Sequence, residues 1–169
     1  MSVCIKKVCT YNIRKIQDSL FQSLELINFK LSRIKTVVLK PNIVMPAKPE
    51  TAAVTHPSVV EATINLLRAA GIEDISIVEE PAIGLDVKES FRISGYTELA
   101  NRMGVSLYGF DDVEKAEIQW KYGRLKIPRI FLDADLYINL PKIKTHGYTT
   151  VTLSIKNQKG LVSDQIKKY

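Results

Sequence analysis

TVVLKPNIVMPAKPETAAVTHPSVVEATINLLRAAGIEDISIVEE, residues 36–80, holds the pattern that decides the fold. Residues 36–40 form a short, β-branched apolar run of the kind a sheet buries on both faces. Pro41 halts it, since proline has no amide to give to a ladder. In residues 55–71, Val59, Val60, Thr63, Leu66, Leu67 and Ala70 fall on one helical face, with Thr55 as the expected N-cap and Gly71 as the left-handed stop. Residues 75–78 repeat the buried-strand pattern. Strand, helix and strand in this order predict an α/β fold: a mostly parallel, Rossmann-like sheet with helices on both faces. Residues 41–55, rich in proline and without a period, read as a binding loop at the strand's carboxyl end.

The flanks extend the same alternation. Residues 3–10 are β-branched and predict a first strand. It leads into a helix whose apolar positions Ile13, Ile16, Leu20, Leu24 and Ile27 recur every three or four residues, with Asn12 as its cap. After the unit, two short helices are expected at 87–93 and 96–103, the second closed by Gly104, followed by a strand at 105–108. Alternating Ile118, Trp120, Tyr122, Leu125 and Ile127, with Gly123 at the bend, predict a β-hairpin over 116–128. Residues 134–140 are the last clear strand. Residues 149–156 carry both signals: Val151, Leu153 and Ile155 alternate as in a strand, while Thr149 or Thr150 suits a helix cap.

At 169 residues and 46% hydrophobic, the chain suits a single α/β domain with one sizeable core. Lysine and arginine number 24 against 18 acids, a formal charge of +6. The excess is local: the last thirty residues are rich in lysine and hold one acid, Asp164. Local basic charge points to an anionic ligand or an acidic partner, whereas a nucleic-acid coat spreads basic residues over a face and interleaves aromatics. Cys4 and Cys9 form no C-x-x-C pair, so they are expected to be buried thiols of the first strand, and no iron–sulfur cluster or metal site is expected. No membrane span or signal peptide is evident, which predicts a cytoplasmic protein. Phosphate-binding G-x-x-x-x-G-K-[ST], dinucleotide-binding G-x-G-x-x-G and nucleophile-elbow G-x-S-x-G sequences are all absent.

Parallel strands bring their carboxyl ends to one edge, where such folds bind ligands. Asn42, Glu79 and residues 142–146 each follow a strand end. The stretch NLPKIKTHGYTTVTLSIKNQKG, residues 139–160, concentrates the chemistry there. Lys142, Lys144 and Lys156 offer positive charge for a phosphate or carboxylate, and a lysine with a lowered pKa can also exchange protons. His146, next to Gly147, suits a general base or a simple donor; one histidine makes a poor metal site. Lys144, His146 and Lys156 are therefore the candidate catalytic residues. Asn42, Thr55, Glu79, Lys142, Thr145 and Asn157 are the candidate ligand-binding residues. The bland alternatives are a solvated basic loop for the lysines and ordinary turn or capping roles for Asn42, Thr55 and Glu79.

The segments VVLKPNIV (37–44), THPSVVEATINLLRAAG (55–71), DADLYINLPKIKTH (133–146) and TLSIKNQKG (152–160) together resemble the domain of unknown function family 362. The resemblance places Lys40, Pro41, Asn42, Thr55, Pro57, Pro141, Lys142, Lys144, His146, Lys156, Asn157 and Gly160 at motif positions without assigning them roles. It implies a redox setting, since many members carry a ferredoxin-like iron–sulfur module. This chain has no cysteines for one, so a separate iron–sulfur protein would supply it. Family domains run on past the K-N-x-x-G element, which implies a truncated or short member, or a half-site completed by a second copy. A more distant likeness to the nickel-pincer lactate racemase family implies proton or hydride transfer on a small carboxylate. These readings converge on binding of a small anion at the strand edge. Docking of an acidic or iron–sulfur partner is the alternative, and nucleic-acid binding is a third.

Overall fold

The computed structural model describes residues 2–147 and 150–162. Its centre is a four-stranded, all-parallel sheet in the order β3-β2-β1-β6, where β1 is Thr36–Pro41, β2 Asp74–Val78, β3 Ser106–Tyr108 and β6 Leu136–Leu140. The α/β class expected from residues 36–80 is what the chain adopts. Helix α2 (Pro57–Ala69) crosses from β1 to β2, and α3 (Val87–Ile93) and α4 (Tyr96–Met103) cross from β2 to β3. A β-hairpin of β4 (Lys115–Trp120) and β5 (Gly123–Pro128), then the short α5 (Ile130–Asp133), precede β6. Gly123 sits at φ +133°, a conformation that side chains disfavour, which is why the bend falls there.

The strands β1, β2 and β3 step outward in one direction, and β6 then returns to the opposite side of β1. The order therefore reverses between β1 and β6, and such a switch point opens a crevice beyond the strand ends. The register pairs Lys40 with Asn139 and Pro41 with Leu140, so both strands end side by side at that crevice.

One face of the sheet carries the main core. Val37, Leu39, Ile75 and Ile77 pack there against Val60, Ile64 and Leu67 of α2, and against Phe91, Tyr96 and Leu99 of α3 and α4. Each such side chain, taken wholly out of water, contributes about 1.5–3 kcal/mol. The other face is covered more thinly: Val38 and Val78 pack with Phe110, and Ile130, Phe131 and Leu161 lie against them. Cover on both sides explains why the strands read as unbroken apolar runs.

Three expectations need correction. Residues 3–10 form no strand: they run without regular structure ahead of α1 (Ile13–Leu26), with Val3 and Ile5 81% and 91% exposed. A β-branched segment becomes a strand only where a ladder accepts its amides and carbonyls. Among the described residues its hydrogen bonds to α1 come from side chains, Cys4 to Ser23 and Lys6 to Gln22. Cys9 is consequently exposed and Cys4 half-buried, so neither is a buried thiol. The cap of α2 is His56 rather than Thr55: His56 Nδ1 accepts from the Ser58 amide at 3.2 Å. Asn12 does cap α1, accepting from the Lys15 amide at 3.1 Å.

Candidate functional site

Residues 150–156 hold a strand and then a helical turn, each shorter than its signal: the strand ends at Thr152, and the turn has Leu153 at its N-cap, with no side-chain cap, in place of Thr150. Strand β8 (Thr150–Thr152) pairs antiparallel with β7 (Lys144–His146), and a single helical turn, α6 (Ser154–Asn157), follows; Thr149 lies outside the described residues. Period-2 alternation in β7 sets Lys144 and His146 on one face and the exposed Thr145 on the other. The turn α6 and the 3-10 segment Gln158–Leu161 then fold back over the ends of β1 and β2.

Beneath that return lies a buried polar cluster. Lys40 is wholly buried, and its Nζ donates to Glu79 Oε2 at 2.8 Å and to Asn157 Oδ1 at 3.4 Å. Asn157, 3% exposed, also accepts from Asn42 Nδ2 at 2.9 Å. Its own amide donates to Asn139 Oδ1 at 2.7 Å and to the Pro41 carbonyl at 3.2 Å. One asparagine thus joins β1, β6 and α6 around a charged pair. Burial pushes the Glu79 carboxyl up; the Lys40 ammonium and the amides of Glu80 and Ile43 pull it back.

Gly160 seals this cluster. A Cβ at Gly160 would stand 2.9 Å from Lys40 Nζ and 3.2 Å from Glu79 Oε1, so the backbone approaches the pair more closely than any side chain permits. Gly160→Ala is therefore expected to cost about 1–3 kcal/mol, as overpacking does. Gly147→Ala, with nothing within 4 Å of its Cβ, is expected to stay within about 0.5 kcal/mol of the parent. Urea unfolding of the two variants measures the difference.

Over the cluster opens a cleft of about 1040 Å³. Asn42, Glu79, Lys144, His146, Lys156 and Asn157 all line it, so six of the nine residues singled out in the sequence meet at one place. Lys144 is half-buried and donates to the Ala53 carbonyl. Its pKa is lowered to about 8, chiefly by burial and next by the Lys156 charge. Burial, and then Lys159, also lower that of Lys156. Two buried atoms of lining residues, Asn42 Oδ1 and Thr152 Oγ1, have no hydrogen-bond partner among the described residues. A buried polar atom without a partner costs about 1–3 kcal/mol, so each is a position that a ligand group or a water satisfies.

Three candidates stand elsewhere. The Thr55 hydroxyl is consumed structurally, accepting from the Asn42 amide at 3.0 Å and donating to the Leu140 carbonyl at 2.7 Å, which locks the ends of β1 and β6 together. Lys142 Nζ donates to the Tyr11 hydroxyl at 3.2 Å, and the Tyr11 ring stacks on His56 at 3.8 Å. That stack and the His56 cap occupy the start of α2. Thr145 lies on the exposed face of β7, outside the cleft lining. Lys40, Asn139, Lys159 and Gly160 are the additions. For Lys40 a signal existed: a lysine inside a strand that otherwise reads as buried on both faces.

Residues 37–169 match the model of the family described as Domain of unknown function (DUF362). The chain belongs to this family. The DUF362 segment includes every cleft and cluster residue named above. Thylakoid-associated protein sll1697 of Synechocystis sp. is 30% identical to the chain over 133 residues, 79% of this chain and 41% of that protein. The chain thus spans about two fifths of the length of that relative. Among the described residues, no helix is long and apolar enough to cross a membrane.

Proposed function

We propose that this DUF362 protein binds a small carboxylate- or phosphate-bearing anion in the cleft at the carboxyl edge of its sheet. The observation that carries the reading is Lys144: a half-buried ammonium on the cleft wall, with a pKa near 8, set among further lysines. Such a group neutralises an anion and also exchanges a proton near neutral pH. Glu79, itself paired with Lys40 at 2.8 Å, offsets this only in part: it raises the Lys144 pKa by less than burial and Lys156 lower it. Lys156 and Lys159 add charge at the rim, His146 offers a donor or base beside Lys144, and Asn42, held in place by Asn157, presents its Oδ1 to a donor on the bound molecule. Lys144, His146 and Lys156 are the candidate groups for any proton transfer.

Thermal unfolding across sulfate, phosphate and carboxylate panels tests the reading, since a ligand that binds only the native state raises Tm. Selective stabilisation by anions is expected, and Lys144→Ala combined with Lys156→Ala should abolish it. No shift with any anion, or a shift the double variant retains, refutes it.

A second reading has one observation in its favour. Ile143 and Ile155 are 73% and 89% exposed, and each neighbours a lysine in sequence, Lys142 and Lys156. Apolar groups rimmed by positive charge suit an acidic partner, for which a separate iron–sulfur protein is the candidate. Affinity for such a protein that falls steeply with salt, without any response to small anions, would favour this reading.

A further inference from the structure

We infer that the cleft takes an anion joined to an apolar body, of the class of an aryl or acyl phosphate or carboxylate, in preference to a bare inorganic anion. The inference rests on the anion-binding reading and concerns the apolar lining of the same cleft. One wall is basic, with Lys144, Lys156 and Lys159. The segments that leave β1 and β2 add apolar lining beside one acid, Glu80, whose Oε2 accepts from the Phe110 amide: Val44 and Met45 come from the first, Pro81, Ala82 and Ile83 from the second.

Met45 and Ile83 remain 46% and 45% exposed. A lone exposed apolar side chain is ordinary, but two on the wall of a concave site mark a surface that a ligand covers. The wall is also preformed. Ala82 N donates to the Val44 carbonyl at 2.9 Å, which fixes the two segments to each other before anything binds. Size points the same way. At about 1040 Å³ the cleft lies at the top of the range that holds a drug-sized organic molecule. A sulfate or phosphate ion would reach the lysines and leave Met45 and Ile83 in water. A ring or chain attached to the anionic group would cover them.

Titration calorimetry of the full chain with two matched pairs tests this: inorganic phosphate against phenyl phosphate, and acetate against phenylacetate. The phenyl member of a pair is expected to bind about tenfold or more tightly than its bare counterpart, the gain from covering apolar surface. Preference in either pair supports the inference, and the pair that shows it identifies the head group. Met45→Ser combined with Ile83→Ser alters only exposed side chains. It should bring the phenyl member down to parity while leaving phosphate or acetate affinity unchanged. If phenyl and bare anions bind alike, or the double variant weakens both equally, the inference is overturned and the anion-binding reading stands. If none of the four binds, both are overturned.

Discussion

Lys40→Met is expected to destabilise the fold by about 3–5 kcal/mol, as removal of one partner from a buried ion pair does. The magnitude comes from what is left behind. Lys40 is wholly buried and Glu79 is 2% exposed, so neither charge can recruit water when its partner is removed. With methionine at 40, the Glu79 carboxylate keeps only the amides of Glu80 and Ile43. Asn157 loses a donor as well. Equilibrium unfolding in urea measures the loss, and Lys40→Met combined with Glu79→Leu should recover a large part of it, because the second change removes the stranded charge. A double variant no better than the single one would show that packing, not charge, dominates.

The same variant carries a pH signature. Burial already raises the Glu79 carboxyl, and removing Lys40 deletes the strongest influence that lowers it. A carboxyl whose folded pKa lies above its unfolded value favours the fold below the unfolded value. That contribution is lost as pH rises through the folded one. Lys40→Met should therefore lie closest to the parent at about pH 4, below the unfolded carboxyl value, and fall further behind as pH rises from there. A gap that is constant or narrows with rising pH contradicts an ionised, stranded Glu79.

What the sequence disclosed follows from how local each determinant is. Residues 36–80 are legible because a twice-buried strand must be apolar throughout, and because a crossover helix needs one apolar face and a stop at Gly71, φ +82°. The hairpin is legible for the same reason: alternation and Gly123 both act within a few residues. Failures arise where the deciding partner is remote. Residues 3–10 have strand propensity, but propensity supplies no neighbouring strand. Thr55 has the chemistry of a cap, yet Leu140, 85 residues away, takes its hydroxyl, and the capping role passes to His56. Lys40 stands out as a lysine within a buried run, but the partners that allow its burial, Glu79 and Asn157, are 39 and 117 residues away. The position of the cleft was legible from strand ends alone. Its floor was not, because it rests on the strand order that sets β6 beside β1 and on the return of residues 154–161 over both.

Binding of sulfate, if the cleft takes anions, is expected to weaken as pH rises through about 8, the value to which Lys144 is lowered. Sulfate is the useful probe because it stays fully ionised across this window, so that only protein groups titrate. Below pH 8 Lys144 is an ammonium, and a hydrogen bond from it to the anion is charge-assisted, of the order of 1.5–3 kcal/mol. Above it the neutral amine keeps the geometry and loses the charge. Bound sulfate favours the ammonium in turn, so the pKa in the complex lies above the free value and affinity declines between the two. Lys144→Ala should weaken binding by roughly tenfold to a hundredfold and remove the inflection. Lys144→Arg supplies the decisive contrast, since a guanidinium stays charged throughout the range. It should retain affinity at alkaline pH and also lack the inflection. Calorimetric titration of the three proteins across the window measures this. An inflection that persists in Lys144→Arg would assign the titrating group to another residue and overturn the role given to Lys144.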